Sequence, residues 1–166
     1  CPGYKALIQI AESGRIGRIV EVEAAFSRLT PLNTREYKDD DCNGSFLEFG
    51  SYTLLPVLTL LGCEYDDVTF RTVRAQNGVD AYTKAFIEYK DEYIDKTAIV
   101  KTGLGAKTEG QLVVTGTNGY ILAKSPWWLT KEFEVRYENP GKIERYRFGY
   151  EGTGLCYEVR EFVHRI

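Results

Sequence analysis

A chain of 166 residues that is 43% hydrophobic and 27% charged is long enough to bury one core and has the composition of an ordinary globular domain. Its net charge of −3 comes from interspersed acidic and basic residues, so no basic stripe is available to nucleic-acid phosphates. No apolar run reaches the roughly 18 residues that a membrane span needs, and the amino end lacks a signal-peptide pattern. We therefore expect a cytoplasmic protein that binds neither nucleic acid nor membrane.

The cysteines and the histidine do not form a metal-binding pattern. The four cysteines, at positions 1, 42, 63 and 156, have no C-x-x-C spacing, and His164 is the only histidine. The sequence therefore predicts no metal site, reduced thiols and a solvated His164.

The chain opens with a predicted helix at about residues 4–13, which Pro2 can begin and Gly14 can end. The period then changes to two, because Glu21 and Glu23 alternate with apolar residues, namely Val20, Val22, Ala24 and Phe26. This alternation predicts a strand with one solvated face.

Residues 29–44 are polar and show no sustained period, which predicts a long loop, and loops of this length in compact domains are often functional. A helix is predicted next at about 51–61, with an apolar stripe that ends at Gly62. Pro56 has no N–H to give to the carbonyl of Tyr52, so this helix should kink or restart there.

Strands then follow one another without crossover helices, at about 67–75, 80–90, 93–102, 109–115, 119–123, 131–138 and 142–149. Such a succession predicts a mostly antiparallel sheet. A final apolar stripe predicts a helix at about 154–166. We therefore expect one α+β domain over residues 1–166, a large open-faced sheet with the helices packed on one face.

Two segments between predicted strands have more than one interpretation. Gly103-x-Gly105, followed by Gly110, resembles a dinucleotide fingerprint, but the third glycine is misplaced and no helix follows, so a turn is favoured. Trp127-Trp128 can line a sugar pocket or cover a sheet edge, and cover is favoured. No cofactor-binding residue is therefore predicted within this chain.

Glu48 and Tyr52 are four residues apart, so they share a face if this stretch is helical. Both are ionisable, and they follow a glycine-containing segment at the polar end of a predicted apolar helix. The pair can serve catalysis, or Tyr52 can be a core-edge residue whose hydroxyl bonds to Glu48. The spacing leaves both interpretations open.

The segment from Cys42 to Tyr52, C-N-G-S-F-L-E-F-G-S-Y, resembles the G-G-G-x-L-x-D-x-G-x-[HY] motif of the Gfo/Idh/MocA oxidoreductases. The third glycine, the later glycine and the terminal tyrosine match, whereas the first two glycines differ and Glu48 stands in place of aspartate. Three further segments, Gly14–Gly17, Gly116–Ile121 and the tail at 149–162, are similar to family motifs in the same order.

The resemblance implies the glyceraldehyde-3-phosphate-dehydrogenase-like carboxyl-terminal domain of a two-domain NAD(P)-dependent enzyme that acts on a sugar, polyol or related substrate. A Rossmann domain would bind NAD or NADP, and we expect this chain to be a fragment without it, since the chain has no methionine and begins at Cys1. By resemblance, Tyr52 is the general acid or base and Glu48 the substrate-binding carboxylate. Arg35 and Asn43, from the 29–44 loop, are expected to bind substrate beside them.

Two functional interpretations stay open. The retained Tyr52 favours an enzyme, and the altered residues before Gly44, with Glu48, favour a catalytically silent relative that binds a sugar or nucleotide. The family's usual association also implies a homodimer or larger oligomer through the uncovered face of the sheet.

Overall fold

The computed structural model describes residues 1–38, 43–149, 152 and 154–165. The acidic run at 39–41, Cys42 and Tyr150 thus lie outside the described residues. In chain order the elements are α1 (Pro2–Glu12), β1 (Ile19–Ser27), α2 (Ser45–Leu61), β2 (Asp67–Arg74), β3 (Asp80–Tyr89), β4 (Lys96–Gly103), β5 (Leu112–Gly116), β6 (Tyr120–Ala123), β7 (Glu132–Arg136), β8 (Ile143–Arg147) and α3 (Leu155–Arg165). Short 3₁₀ turns occur at Arg35–Tyr37 and Trp127–Leu129.

The strands of the described chain form one mixed sheet in the order β2-β3-β4-β1-β5-β6-β7-β8. β1 runs parallel to β4, with Ala24 opposite Val100, and every other neighbouring pair is antiparallel. The parallel pair arises because α2 crosses the sheet between β1 and the β2–β4 meander. The predicted α+β fold with a mostly antiparallel sheet is confirmed.

The two faces of the sheet differ in burial. On β1, Val22 and Ala24 are fully buried, whereas Glu21 and Glu23 on the opposite face are partly exposed. The buried face continues across the sheet and meets α1 and α2 through fully buried aliphatic side chains, Leu7, Val57, Ala98, Val100, Leu112, Val114, Ile121 and Val135. Removal of this apolar area from water is the main force that holds α1 and α2 on the sheet.

Helix α2 is longer than the sequence predicts. It begins at Ser45 rather than near residue 51, and it continues through Pro56 to Leu61. Thr53, Pro56 and Val57 are buried against the sheet, and this packing outweighs the lost backbone hydrogen bond at the proline. Of the two predictions at Pro56, a kink or a restart, the restart is therefore wrong, and Glu48 and Tyr52 lie on one continuous helix.

Helix α3 differs from its prediction as well. It lies beside α1, where Glu161 forms an exposed ion pair of 2.7 Å with Lys5. Its apolar residues Leu155, Val159, Phe162 and Val163 are more than half exposed, so this stripe does not pack on the sheet with α1 and α2. His164 is exposed, as predicted.

Candidate functional site

The candidate site lies where β1 ends and the first half of α2 passes over it. Val57 and Thr53 anchor α2 on β1, β3 and β4, which leaves Tyr52, one turn after Glu48, at the margin of the core. Tyr52 is 49% exposed. Its ring stacks on Phe26 with 4.9 Å between the ring centroids. A tyrosine hydroxyl is thus presented to solvent on a rigid helix, as a proton donor or acceptor requires.

A network of two arginines and two glutamates lies beside this tyrosine. Nη2 of Arg35 is 3.1 Å from both carboxylate oxygens of Glu48. Nη2 of Arg28 donates to Oε1 of Glu36 at 2.9 Å and reaches Oε1 of Glu48 at 3.5 Å. The two positive and two negative charges balance, and the interlocking contacts fix the position of each side chain.

Glu36 is the most buried member of this network, with 10% of its side chain exposed. A backbone hydrogen bond at Glu36 itself, a side-chain hydrogen bond from Thr34 and the nearby Arg35 and Arg28 hold the pKa of the Glu36 carboxyl below its usual value. Glu36 therefore remains ionised and keeps Arg28 in place.

The structure brings together three of the four site residues that the sequence indicated. Arg35 contacts Glu48 directly, and Tyr52 follows one turn later on the same helix. The carboxylate of Glu48 accepts from Arg35 and Arg28, and among the described residues it shows no hydrogen bond to the Tyr52 hydroxyl. Asn43 precedes the N-cap of α2, and the helix rise from Ser45 places Tyr52 about 10 Å away from that end.

The amino end of α2 is fixed by a residue from another strand. The N-cap, Gly44, has a φ of 115° and no side chain to bond to the helix. Oδ2 of Asp80 accepts a hydrogen bond of 2.8 Å from the backbone N–H of Phe46, and Oδ1 accepts one of 2.9 Å from Ser45 Oγ. A Cβ at Gly44 would lie 3.0 Å from the Asp80 Cβ, so the close approach also requires glycine.

The loop after β1 is held against this helix end. Tyr37 is buried and packs in a small second core with Phe49, Val79 and Leu104. Nδ2 of Asn77 donates to the backbone oxygen of Tyr37 at 2.6 Å. Burial, and secondarily the Asp80 carboxylate, raise the pKa of the Tyr37 hydroxyl. Residues 29–38 therefore form a fixed wall of the site, which holds Arg35 in reach of Glu48.

Four rings form what we call the aromatic cluster. The ring of Phe26 lies 4.7 Å from Phe49, 4.9 Å from Tyr52 and 4.1 Å from Trp128, measured between centroids. Trp127 contacts Trp128 edge-on, with 6.2 Å between centroids, but it is 2% exposed and its Nε1 donates to the backbone oxygen of Ala25 at 2.9 Å. Trp127 therefore covers β1 in the middle of the sheet rather than a sheet edge, and Trp128 packs partly against the same core while its ring contacts Phe26.

Sequence reasoning did not assign Phe26, Arg28, Trp128 or Asp80 to the site. The sequence did carry a signal for Phe26 and Arg28. Both lie at the carboxyl end of a predicted strand, where a side chain can contact the next element of the chain. Asp80 carried no local signal, since it meets Phe46 from 34 residues away in sequence.

Neither a metal-binding cluster nor a membrane-spanning helix occurs in the part of the chain that the structure describes. Across residues 1–38, 43–149, 152 and 154–165, no group of three or more His, Cys, Asp or Glu side chains could hold a metal ion. In the same ranges, no helix combines the length and apolar character that crossing a membrane needs. Gly103 ends β4, and Gly105 and Gly110 lie in the connection from β4 to β5, so no helix begins at this glycine segment.

Three solved structures that share this fold are each about twice as long as this chain. KijD10, a 3-ketoreductase from Actinomadura kijaniata in complex with NADP and TDP-benzene, superposes with a TM-score of 0.81 at 16% identity, covering 99% of this chain and 50% of that one. An NAD binding oxidoreductase from Klebsiella pneumoniae gives 0.69 at 17% identity, with 90% and 44% covered. An oxidoreductase from Agrobacterium radiobacter in complex with NAD+, L-tartaric acid and magnesium gives 0.68 at 18%, with 90% and 43% covered. The chain therefore spans about half the length of these proteins, and the likeness establishes the fold.

The sequence itself identifies the family. No curated protein matches it. Residues 4–122, well over half of the chain, match the family model described as the GFO/IDH/MocA C-terminal domain. That range includes β1, the loop that carries Arg35 and all of α2, so it contains the charged network and Tyr52. The chain therefore belongs to the GFO/IDH/MocA family as its C-terminal domain.

Proposed function

We propose that this chain is the substrate-side half of an NAD(P)-dependent oxidoreductase and that Tyr52 is its general acid or base. The observation that carries the proposal is a half-exposed phenol, held by α2 and by ring stacking on Phe26, at the tyrosine position of the family motif. In this class of reaction a proton leaves the substrate hydroxyl, or reaches the substrate carbonyl, as hydride moves. Tyr52 is the group that exchanges this proton.

The described residues do not fit a dinucleotide. A pyrophosphate site needs a glycine-rich turn that opens a helix after a strand, whereas the glycine segment between Gly103 and Gly110 joins two strands. We propose that another part of the full-length protein holds NAD or NADP and that the face of this domain around Tyr52 closes against it. Two solved structures of about twice this length contain NADP or NAD+, and this supports a nicotinamide cofactor for the full-length protein.

The substrate is proposed to be a sugar, polyol or related hydroxy or keto compound. Arg28 and Arg35 keep guanidinium N–H groups beyond those bonded to carboxylates, and these donors suit substrate hydroxyl or carbonyl oxygens. Glu48 acts mainly by holding both arginines, which explains how glutamate serves where the family motif has aspartate. Asn43, just before the amino end of α2, is proposed to bind the substrate as well.

Turnover by the full-length protein tests the proposal. A panel of sugars and polyols is screened with NAD and NADP, and reduced nicotinamide is followed by absorbance. Tyr52→Phe should lower kcat by roughly 10²–10⁴-fold without changing the unfolding midpoint. Tyr65→Phe is the matched control, since Tyr65 has a similar exposure, 53%, and lies in the connection from α2 to β2. Full turnover by Tyr52→Phe would contradict the assignment.

A catalytically silent binding module is the second candidate, because both carboxylate oxygens of Glu48 are bonded to Arg35 rather than free for substrate. This candidate predicts saturable binding of a sugar or nucleotide by the full-length protein with no reduction of NAD or NADP. Turnover that depends on Tyr52 would rule it out.

We also propose that the uncovered sheet face forms a homodimer or larger oligomer. Four apolar side chains lie on this face in register on either side of Glu23 of β1, Phe86 and Ile99 on one side and Val113 and Leu122 on the other, and none of them is fully buried. Sedimentation of this chain should give a dimer that Ile99→Arg dissociates. A monomer at high micromolar concentration would contradict this assembly.

A further inference from the structure

We infer that strand β2 pairs edge to edge with β2 of a second copy of this chain, in antiparallel orientation and with Thr69 opposite its own copy. β2 is an edge strand of the described sheet and pairs on one side, with β3. A strand in this position presents unpaired backbone N–H and C=O groups along its outer side. The contact is separate from the open face of the sheet and from the proposed catalytic site, and it depends on neither.

The outer side of β2 is exposed and partly apolar. Six of its eight residues are exposed, among them Phe70 at 45% and Val73 at 62%. A cleft of about 210 Å³ with an almost wholly apolar lining lies between α2 and this strand, and Val68, Phe70 and Leu58 line it. An exposed phenylalanine beside an apolar cleft at a sheet edge is typical of a contact with another chain.

Side chains on β2 alternate between the two faces of the sheet. Val68 and Phe70 line the cleft and therefore lie on the face that α2 covers. Asp67, Thr69 and Arg71 lie on the open face. Asp67 and Arg71 are exposed, and neither forms an ion pair among the described residues; Nη1 of Arg71 donates to the backbone oxygen of Phe70 at 2.9 Å. The edge thus carries an anion and a cation that are four residues apart.

Two-fold symmetry restricts how two copies of β2 can pair. Opposite side chains of antiparallel strands share a face, so identical strands must place one residue opposite its own copy. With Thr69 in that place, Asp67 of each chain lies opposite Arg71 of the other. Val68 of each chain lies opposite Phe70 of the other, so each phenylalanine ring lies beside the cleft of the second copy. Both charges and both apolar side chains therefore have complementary partners.

The neighbouring registers are less complementary. With Phe70 opposite its copy, Asp67 would lie opposite Val73 and Arg71 opposite Thr69, so both charges stay unmatched. With Arg71 opposite its copy, two guanidinium groups meet, and like charges directly opposite destabilise a sheet. With the axis one residue before Thr69, no β2 residue lies opposite Arg71. Charges at an edge usually oppose edge pairing, but the two signs on this strand select one register.

The contact is small, because it contains five residue pairs, formed by residues 67–71 of each strand. Its area is well below the roughly 1,600 Å² of a standard interface, so we expect a dissociation constant on the order of 0.1–1 mM. At high chain concentration it would link the dimers proposed for the open face into a larger assembly.

Disulfide cross-linking of this chain tests the register. Opposite residues on antiparallel strands have Cα atoms about 4.5–5.5 Å apart, a distance that a disulfide spans. Under mild oxidation, Thr69→Cys should form covalent dimers about tenfold faster than the parent chain, which has the same native cysteines. Val73→Cys is the matched control, since Val73 lies on the same face but roughly 27 Å from its own copy. Equal rates for these two variants, or faster linkage by Phe70→Cys or Arg71→Cys, would overturn the inference.

Charge reversal tests the pairing in solution by sedimentation equilibrium. Every chain carries Ile99→Arg, so that association through the open face does not contribute. Asp67→Arg or Arg71→Asp should weaken dimer formation by about tenfold, since two attractions become repulsions. The double variant should restore it, because the two charges have exchanged places. Glu92→Arg, the same charge change at an exposed position between β3 and β4, should have no effect. A monomer at about 1 mM before charge reversal, or a double variant as weak as the single ones, would overturn the inference.

Discussion

The carboxylate of Asp80 caps α2 from the start of β3, with Oδ2 2.8 Å from the backbone nitrogen of Phe46. The same carboxylate accepts from the hydroxyls of Ser45 and Thr83. A negative charge at this place also interacts favourably with the positive end of the helix dipole. Because Glu48 and Tyr52 follow within two turns, this contact between strand and helix helps to fix the positions of both side chains.

Asp80→Asn should therefore destabilise the domain by about 1–2 kcal/mol, because the amide keeps only one acceptor oxygen for the three donors and removes the negative charge beside the helix end. Urea unfolding followed by circular dichroism measures the change. The matched control is Asp95→Asn, since Asp95 pairs with Lys90 at an exposed position and its loss should cost less than about 0.5 kcal/mol. Equal unfolding midpoints for the two variants would contradict the capping role.

Glu48→Gln should raise KM by about tenfold while kcat changes less, because the amide holds Arg28 and Arg35 more weakly than the carboxylate does. Steady-state kinetics of the full-length protein give both constants. Glu92→Gln, an exposed substitution between β3 and β4, should leave both unchanged. A loss confined to kcat would show that Glu48 acts in the chemical step instead.

Trp127→Phe should destabilise the domain by about 2–3 kcal/mol, since it leaves the Ala25 oxygen without its indole donor and opens a cavity in the core. Trp128→Phe should cost less than about 1 kcal/mol, because Trp128 makes no such buried bond among the described residues and is partly exposed. Chemical unfolding of both variants in parallel compares them. Equal losses would show that the two indoles share one structural role.

Glu134 should produce an acid-sensitive contribution to stability on the open face. Its hydrogen bond from Arg136, with a further bond from Arg145, holds the pKa of this carboxyl below its usual value. A depressed folded-state pKa stabilises the fold above the unfolded value of about 4.3 and loses that contribution as pH falls through the folded pKa.

Comparison of Glu134→Gln with the parent chain measures this contribution. The variant should be less stable at neutral pH, where three cations, Lys124, Arg136 and Arg145, lose their shared anion. The difference should shrink as pH falls below about 4. A difference that stays constant between neutral and acid pH would show that Glu134 stabilises by packing rather than by charge.

Local sequence pattern predicted most of the elements because each is amphipathic in its own period. The alternation of Glu21 and Glu23 with buried apolar residues specified β1, and the run of strands without helices specified a mostly antiparallel sheet. The start of α2 could not be predicted in the same way, since the segment from Gly44 to Gly50 mixes polar, apolar and glycine residues without a clear period. Their helical state depends on the Asp80 cap and on burial of Phe49.

The proposed site likewise contains residues that the sequence indicated and contacts that it could not indicate. Tyr52 and Glu48 were identifiable because a four-residue spacing and a family motif are properties of contiguous chain. That Arg35 bonds to Glu48, and that Arg28 and Phe26 complete the site, depends on the loop after β1 folding back over α2.

By itself the sequence determined the fold class and the placement of Glu48 and Tyr52 one turn apart, since period, composition and motif act over short separations. Only the tertiary structure decided that Trp127 is buried while Trp128 joins the site, and that Asp80 begins the helix. These contacts join residues far apart in the chain, and their formation depends on sheet register and packing, which a linear pattern does not contain.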